Sequence, residues 1–351
     1  MKINSQRSLI KLLKSSSPKT FRVFNFGCRV NAAEINQLSQ FFINYGFTPS
    51  LVDNPQIILI NTCAVTRKGE NESLTKIRVL QKQYPQSLII ATGCANLNKI
   101  QNILTIDNIL KDNILTNTNG YYSPKIGDKY TPHKRYLLRV QSGCTQKCSY
   151  CIVPQKRPHL WSLAPSTAVA TIKKIEAEYN EIIITGVNLV QYQYGLTDLV
   201  KKIIEETKIK LISFGSIPLN CFNDEFLNLL DNKRIVKFLH IPIQSGSNRI
   251  LKLMRRPYNQ KKIINVFESL KSKIKNLSLG TDIIVGFPTE TKADFQKTYN
   301  LCRKIGFKKI HTFRFSPRPN TEAQKLFDQN PKINKTELKS RSIKIRNLVN
   351  Y

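Results

Sequence analysis

Three apolar runs near the start of the chain each end beside a cysteine, and this pattern constrains the fold most. The runs are 21–26 (FRVFNF), 56–61 (QIILIN) and 87–91 (SLIIA), and the cysteines after them are Cys28, Cys63 and Cys94. Apolar residues recur at helical spacing after the first two runs. This alternation predicts a parallel sheet with right-handed crossovers. Because the carboxyl ends of parallel strands share one edge, we expect the three cysteines to converge there.

Three thiols at one sheet edge have three chemical interpretations. The first is that they are buried small hydrophobic residues, as single cysteines commonly are. Alternatively, they hold an iron–sulfur cluster with one iron left open, or a zinc ion whose fourth ligand comes from outside. Their repeated position just past a strand, beside Gly or Thr, favours a metal site.

The segment 98–135 separates this region from the rest of the chain. Weak helical spacing gives way there to turn-forming residues interspersed with lysines, including Asn119, Gly120, Pro124 and Pro132. Such composition predicts a domain boundary whose latter half is an exposed basic linker.

Strand and helix patterns alternate again after the linker. Candidate strands cover 136–140, 181–185, 210–214, 238–243, 279–285 and 309–315, and candidate helices cover 166–179, 197–206, 224–230, 260–273 and 292–305. Six such units predict an α/β arrangement that is either an open sheet or a barrel, and spacing alone does not choose. In both cases the chemistry gathers where the strands end.

A second set of cysteines follows the first of these strands. Cys144, Cys148 and Cys151 form a CxxxCxxC loop. A loop this tight can place three thiolates around one four-iron cluster and leave the fourth iron free to chelate a small molecule. A zinc knuckle is the alternative, but no fourth ligand follows at finger spacing, and His159 has no partner.

The charge balance indicates a polyanionic partner. The chain has 55 Lys plus Arg against 23 Asp plus Glu, a formal charge of +32. Nucleic acid is the first candidate and an acidic membrane surface the second. No apolar run approaches the roughly 18 residues needed to cross a bilayer, so we expect a soluble protein. Residues 1–20 contain no acid and are expected to form a frayed basic tail, with an organellar transit peptide as the alternative.

Several ordered motifs resemble the radical S-adenosylmethionine (SAM) methylthiotransferases. They are GCRVN (27–31), NTCAVT (61–66), TGC (92–94), SGCTQKCSYCIVP (142–154), ITGVN (184–188), HIPIQSGSNRILKLMRR (240–256) and DIIVGFPTET (282–291). GCRVN and NTCAVT are most similar to the subgroup that modifies threonylcarbamoyladenosine at position 37 of tRNA. The remaining alternatives are another tRNA adenosine of the isopentenyl type, a ribosomal protein substrate, or, from a different class, a zinc-binding nucleic-acid module.

The resemblance implies a fold and its division. It implies an N-terminal parallel-sheet domain of flavodoxin or Rossmann type at 21–117, a linker at 118–135, a radical SAM partial (βα)6 barrel at 136–330 and a basic C-terminal helix at 331–351. The C-terminal RNA-binding barrel of the family is expected to be missing. Leu338, Ile345, Leu348 and Val349 fall near one side of the last helix, which predicts a docked amphipathic helix with solvated charges rather than a dedicated RNA contact.

The resemblance also implies two [4Fe–4S] clusters and two molecules of SAM per turnover. Cys144, Cys148 and Cys151 would hold the cluster that binds and cleaves SAM, and the resulting radical would remove hydrogen from C2 of the adenine. Cys28, Cys63 and Cys94 would hold the auxiliary cluster that supplies the sulfur. The implied partners are tRNA and an electron donor such as flavodoxin or ferredoxin, with no membrane, in the cytoplasm.

Five further residues are expected to face SAM by similarity. They are Gly186, Asn188, Ser216, Gln244 and Asp282, which lie at or near strand ends. A simple turn is the alternative for the first two and a close-packing role for Gly286, while His240 is either a core histidine or a functional one. Cys221 and Cys302 fit no cluster spacing and are expected to be buried thiols.

The chain departs from the family pattern after the second cysteine set. Arg157 is retained, but Pro158 stands where Gly is usual and Trp161 where Arg is usual. Proline lacks both the N–H and the conformational freedom of glycine, so this loop must be built differently. Pro218 likewise stands where relatives commonly carry Glu.

Overall fold

The computed structural model describes residues 2–3, 6–14, 19–50, 54–106 and 135–349. The N-terminal unit is a sheet of parallel strands in the order β1-β6-β5-β4-β2-β3. Its strands are β1 (Lys2–Ile3), β2 (Thr20–Asn25), β3 (Thr48–Pro49), β4 (Ile57–Thr62), β5 (Leu88–Gly93) and β6 (Leu104–Ile106). Its helices are α1 (Gln6–Lys14), α2 (Arg29–Asn44) and α3 (Arg67–Gln83).

Burial explains why β4 reads as a continuous apolar run. Each of its residues is buried, as is typical of a parallel strand covered on both faces. Ile57 and Leu59 pack on the α2 side with Ile35, and Ile58 and Ile60 pack with Leu74 and Ile77 of α3. The predicted parallel sheet with flanking helices is confirmed.

The expectation of a frayed tail at 1–20 is wrong for the described part of that segment. Lys2–Ile3 pairs with β6, and α1 buries Leu9 and Leu13 completely in the N-terminal core. Two apolar residues four apart on a short helix are enough to dock it on the sheet, and burial outweighs the unpaired positive charge. The predicted linker at 118–135 lies outside the described residues except for Arg135, which begins β7.

The second unit contains six parallel strands in sequence order. They are β7 (Arg135–Ser142), β9 (Glu181–Gly186), β10 (Leu211–Phe214), β11 (Phe238–His240), β12 (Ser278–Val285) and β13 (Lys309–Arg314), with β8 (Trp161–Ser162) antiparallel on the free edge of β7. Parallel bridges from Ile212 to Ile235 and from Ser216 to His240 join β10 to the β11 region. The six strands therefore form one open, barrel-like layer, as the resemblance implies.

Helices cover the outside of this layer. They are α4 (Val153–Lys156), α5 (Pro165–Ile175), α6 (Leu196–Glu206), α7 (Asp224–Leu229), α8 (Asn248–Leu253), α9 (Gln260–Lys273), α10 (Lys292–Ile305), α11 (Glu322–Gln329) and α12 (Lys335–Arg346). One large apolar core joins most of them to the strands, and α11 packs in a smaller cluster through Ala323. The limits 21–117 and 136–330 stay predictions.

One predicted strand, 238–243, is shorter than expected. β11 ends at His240, although Ile241 N–H still donates to Gly280 O (2.8 Å) and Gln244 N–H to Asp282 O (2.9 Å). Pro242 offers no N–H to the ladder, so the pairing becomes irregular there.

The C-terminal helix α12 docks on the second unit, as predicted. Leu338, Leu348 and Val349 pack against its core and Ile345 is fully buried. The expectation of solvated charges is wrong for Arg341, which is buried and pairs with buried Glu290 (Nη1 to Oε2, 2.8 Å). No helix in the described ranges is long and apolar enough to cross a membrane.

Candidate active site

A cavity of about 430 Å³ lies where the carboxyl edge of the N-terminal sheet faces the barrel. Cys28, Cys63 and Cys94 line it from one side, and Gly186, Ser216 and Asp282 from the other. The expectation that three cysteines distant in sequence converge at one sheet edge is therefore confirmed. Their strands β2, β4 and β5 are direct neighbours in the sheet, which is why the thiols meet.

Two asparagines fix the edge that carries these cysteines. Asn31 Nδ2 donates to Asn61 Oδ1 (2.6 Å), and Asn61 Nδ2 donates to Asn31 O (2.8 Å). Asn31 also accepts from Cys28 Sγ (3.3 Å). The asparagines of GCRVN and NTCAVT are thus one reciprocal pair, and the motifs hold the Cys28 and Cys63 loops in register.

The second cysteine set lies on a loop closed by backbone contacts. Cys144 N–H donates to Arg157 O (3.0 Å), and Val153 N–H donates to Cys151 Sγ (3.4 Å). Gly143 has a φ of +83°, and a Cβ there would collide with the carbonyl of His159. Burial raises the pKa of Cys151 to about 12, so a free thiol there stays protonated at neutral pH and metal binding must displace its proton.

The predicted SAM-side residues fall into neighbouring cavities rather than one. Gly186, Ser216 and Asp282 line the large cavity. Asn188 lines a cavity of about 210 Å³, and its Nδ2 lies 3.6 Å from Cys144 Sγ. Gln244 lines a cavity of about 160 Å³ together with Asp282. Asp282 therefore borders two of the three cavities, and Asn188 lies beside a cysteine predicted to hold the SAM-binding cluster.

Arg157 connects the two cysteine sets. Its backbone carbonyl accepts from Cys144, while its Nε donates to Cys94 Sγ (3.3 Å) in the other unit. It also forms a buried ion pair with Glu34 of α2, with Nη2 2.8 Å from Oε2. Burial alone would lower the pKa of Arg157, but Glu34 and then Cys94 raise it well above its usual value.

Trp161, one of the departures noted in the sequence, packs against the buried side chain of Arg139. The Arg139 guanidinium stacks on its ring at 4.3 Å and lies 3.8 Å from Glu34 Oε1. A cation stacked on indole is stabilised without a second carboxylate. The other departure, Pro218, lines the Asn188 cavity.

Arg256 gives the second cysteine set a comparable contact. Its Nη1 donates to Cys148 Sγ (3.4 Å) and its Nε to Tyr258 Oη (2.8 Å). Although burial alone would lower the pKa of Arg256, Tyr150 and Tyr258 raise it. Sequence reasoning included Arg256 in a motif without a role, because the contact joins residues 108 positions apart.

The sequence interpretation left His240 open between a core and a functional role, and it did not single out His311 on the wall of the same cavity. His240 Nε2 lies 2.9 Å from Asp282 Oδ1, and His311 Nδ1 lies 3.3 Å from the same oxygen. Lys309, two residues before His311, and Arg29 line the cavity as well. The signal in the sequence was the period of two in β13, which places Lys309, His311 and Phe313 on one face.

The donor atoms of the two cysteine sets suit an iron–sulfur cluster. Each set offers three sulfur ligands, which is the donor type that such clusters use. Within the described ranges, ligand atoms of His240, Asp282 and His311 also lie within 4.8 Å of one another.

Cys221 and Cys302 line none of these cavities. Burial raises the pKa of each thiol to about 12. Cys302 is fully buried in the barrel core and Cys221 is half-buried. The expectation of buried thiols is confirmed for Cys302 and is wrong for Cys221, which is only half-buried.

Comparison with known proteins assigns both units. The uncharacterized protein family UPF0004 matches residues 20–113 and the radical SAM superfamily matches residues 138–302. A radical SAM methyltransferase, TsrM from Kitasatospora setae, shares the fold with a TM-score of 0.63 at 11% identity, over 87% of this chain and 77% of that one. Enzymes of the radical SAM superfamily use a [4Fe–4S] cluster and SAM, and that TsrM structure contains such a cluster.

Curated relatives are similar along most of the chain. Threonylcarbamoyladenosine tRNA methylthiotransferase MtaB of Aquifex aeolicus is 31% identical over 89% of this chain and 84% of its own length. MtaB of Thermotoga maritima is 32% identical over 91% and 80%. A tRNA-2-methylthio-N(6)-dimethylallyladenosine synthase of Bacillus cereus is 31% identical over 89% and 69%. With its two matched units in this order, the chain is an enzyme of the radical SAM methylthiotransferase family.

Proposed function

We propose that this enzyme inserts sulfur and a methyl group at C2 of N6-threonylcarbamoyladenosine 37 in tRNA. The observation that carries the proposal is the cavity of about 430 Å³, which has the three N-terminal cysteines and Arg29 on one wall and Lys309, His311 and Asp282 on the other. A sulfur donor and a recognition surface for a charged adenosine therefore face the same space.

Each cysteine set has a separate role in this proposal. Cys144, Cys148 and Cys151 hold the cluster that binds SAM, and Cys28, Cys63 and Cys94 hold a second cluster. When bound, the two groups supply a one-electron cleavage of SAM and a transferable sulfur, respectively. Asn188, Gly186, Ser216, Gln244 and Asp282 position SAM, with Asn188 beside Cys144 (3.6 Å). Two SAM molecules are used in each turnover.

The basic wall of the cavity favours the threonylcarbamoyl nucleoside over the dimethylallyl one. Relatives of both types are about 31% identical to this chain, so identity does not separate them. The threonylcarbamoyl group carries a carboxylate, whereas a dimethylallyl group is apolar. Lys309 and Arg29 on the cavity wall complement a carboxylate and gain nothing from a hydrocarbon.

The charge of +32 supports tRNA as the partner. Each phosphate neutralised by Lys or Arg releases condensed counterions, so the affinity should fall steeply with salt. We further infer an external electron donor, such as flavodoxin or ferredoxin, and a cytoplasmic location, where tRNA is modified.

The test is a reconstitution with defined RNA. Protein with both clusters restored under anaerobic conditions is mixed with SAM, a sulfide source, a reductant and an anticodon stem-loop carrying threonylcarbamoyladenosine, dimethylallyladenosine or adenosine at position 37. Nucleoside mass spectrometry should detect the methylthio product only with the first RNA. The Cys144→Ala variant is the control for radical chemistry.

Two outcomes would contradict the proposal. If only the dimethylallyladenosine RNA gives product, the enzyme belongs to the subgroup that modifies dimethylallyladenosine. If SAM is cleaved but none of the three RNAs gives the methylthio product, the substrate is to be sought among proteins.

A further inference from the structure

The buried guanidinium of Arg157 contacts both a cysteine sulfur and a carboxylate. It is 3% exposed, and its Nε donates to Cys94 Sγ at 3.3 Å. Its other two nitrogens bond the Glu34 carboxylate. A guanidinium offers donors in a fixed plane, so the ion pair with Glu34 determines where the Nε–H points. That direction is toward the sulfur.

A second buried guanidinium lies close to this contact. Arg139, which is 1% exposed, lies 3.8 Å from the same Glu34 carboxylate. The Glu34 carboxylate is therefore held between two arginines, which fixes its position and that of Arg157. A charge in such a buried place is screened weakly, so the guanidinium of Arg157 acts strongly on any charge at Cys94.

Arg157 also ties this sulfur to the other cysteine set. Its carbonyl accepts from Cys144 N–H (3.0 Å) while its side chain reaches Cys94 in the other unit. Ile152, next to Cys151 in sequence, packs against Cys94 and Ala64. One residue therefore sets both the charge beside Cys94 and the position of Cys94 relative to the Cys144 loop.

We propose that Arg157 is a positioning residue that raises the reduction potential of the cluster held by Cys28, Cys63 and Cys94, through its N–H···S contact with Cys94 and the guanidinium charge that this contact brings beside the sulfur. The proposal rests on the proposed function, which assigns a cluster to these cysteines. In the redox step concerned, this cluster takes up one electron from the external donor, and no covalent bond forms or breaks. A hydrogen bond to a ligating sulfur and a nearby positive charge both stabilise the more negative, reduced form.

The experiment isolates this cluster from the other one. A chain with Cys144, Cys148 and Cys151 all changed to Ala retains only the N-terminal cysteine set. After anaerobic reconstitution, the potential of its cluster is measured by redox titration followed by electron paramagnetic resonance. The same titration is made with Arg157→Met and Arg157→Lys in that background.

The two substitutions separate charge from hydrogen-bond geometry. Methionine removes the positive charge and the donor, so the potential should fall below that of the parent. Lysine keeps the charge but lacks the planar set of N–H donors. The reduction potential of the cluster in the Arg157→Lys variant should therefore lie between those of the parent and of Arg157→Met. Lysine also keeps the Glu34 carboxylate paired, which preserves a measurable folded protein if the Arg157→Met variant does not assemble. The matched control, Arg303→Gln, removes an exposed charge on α10 and should leave the potential unchanged.

Failure of the inference is distinct from failure of the proposed function. If both Arg157 variants bind their cluster and titrate at the parent potential, Arg157 has no such influence. If the parent chain, which lacks the other three cysteines, binds no iron and sulfide at all, the second cluster itself is absent and the proposed function falls with it.

Discussion

Arg318 Nη2 lies 2.5 Å from Glu70 Oε2 and joins the segment after β13 to the first turn of α3. Glu70 also accepts from Asn96 N–H (2.9 Å), two residues after Cys94. Arg318 is 2% exposed, so this ion pair is shielded from water. Together with the pair between Arg157 and Glu34, it ties the N-terminal unit to the barrel on two sides of the cavity.

Glu70 should make the junction sensitive to acid. Burial alone would raise its pKa, but the hydrogen bond from Arg318 lowers it below the usual value. A depressed pKa in the folded state contributes stability that is present above the unfolded pKa of about 4.3 and is lost as the pH falls through the folded pKa. Glu70→Gln should remove this contribution and leave the buried guanidinium of Arg318 without its carboxylate, at a cost of about 1–3 kcal/mol. Denaturant unfolding curves at pH 7 and pH 4 should show a gap between variant and wild type at pH 7 that narrows at pH 4.

Glu34→Gln should be strongly destabilising. It leaves the guanidinium groups of Arg139 and Arg157 buried without their shared carboxylate, at a cost of about 3–5 kcal/mol in the free energy of unfolding. The matched control is Glu72→Gln, whose partner Lys68 is exposed (Nζ to Oε1, 3.6 Å) and whose loss should cost less than about 1 kcal/mol. Equal losses for the two variants would contradict the assigned role of Glu34.

The two cysteine sets should load independently. Changing Cys28, Cys63 and Cys94 to Ala should halve the iron and sulfide bound after reconstitution, and so should changing Cys144, Cys148 and Cys151. Changing the inert thiols Cys221 and Cys302 to Ala is the control and should leave the metal content unchanged. Zinc bound in place of iron and sulfide would contradict the assignment of clusters to these cysteines, and metal analysis reads out all three cases.

Lys309→Met should erase a preference for the charged nucleoside. Wild-type protein should bind a stem-loop with threonylcarbamoyladenosine more tightly than one with adenosine, and the variant should bind both alike. The expected loss is about fivefold in Kd, or about 1 kcal/mol, for one partly solvated ion pair. Lys308→Met removes the neighbouring exposed lysine, which lies outside the cavity lining, and should weaken both RNAs equally.

Gly286 and Gly306 form a matched pair for testing the docked C-terminal helix. Both have positive φ, +72° and +68°. Alanine should cost about 1–2 kcal/mol at either site from backbone strain. A Cβ at Gly286 would also collide with Leu338 of α12, whereas Gly306 faces open space. The colliding atom is a terminal methyl of Leu338, which can rotate away at a cost of about 0.5–1.5 kcal/mol. Unfolding measurements should therefore show Gly286→Ala to be less stable than Gly306→Ala by about that amount, and a larger loss for Gly306→Ala would contradict this contact.

The sequence alone determined the longer strands, most of the helices and the convergence of three distant cysteines. Period and composition are local signals, and a parallel sheet brings the strand ends to one edge whatever the side chains do afterwards. The family motifs added the barrel arrangement of the second unit and the roles expected for Cys144, Cys148 and Cys151. The same local signals misjudged residues 1–20, where burial of Leu9 and Leu13 overrides a basic composition.

Only the tertiary structure decided which residues surround these cysteines. From the sequence, Glu34 is only a polar residue in a helical segment, and Arg256 is only one of two adjacent arginines. Their partners lie 123 and 108 residues away in sequence, and no local pattern encodes a contact at that separation. Packing of α2 against β7 creates the buried site that Arg157 and Glu34 share. The ligands follow from strand positions, whereas their electrostatic surroundings depend on how the two units meet.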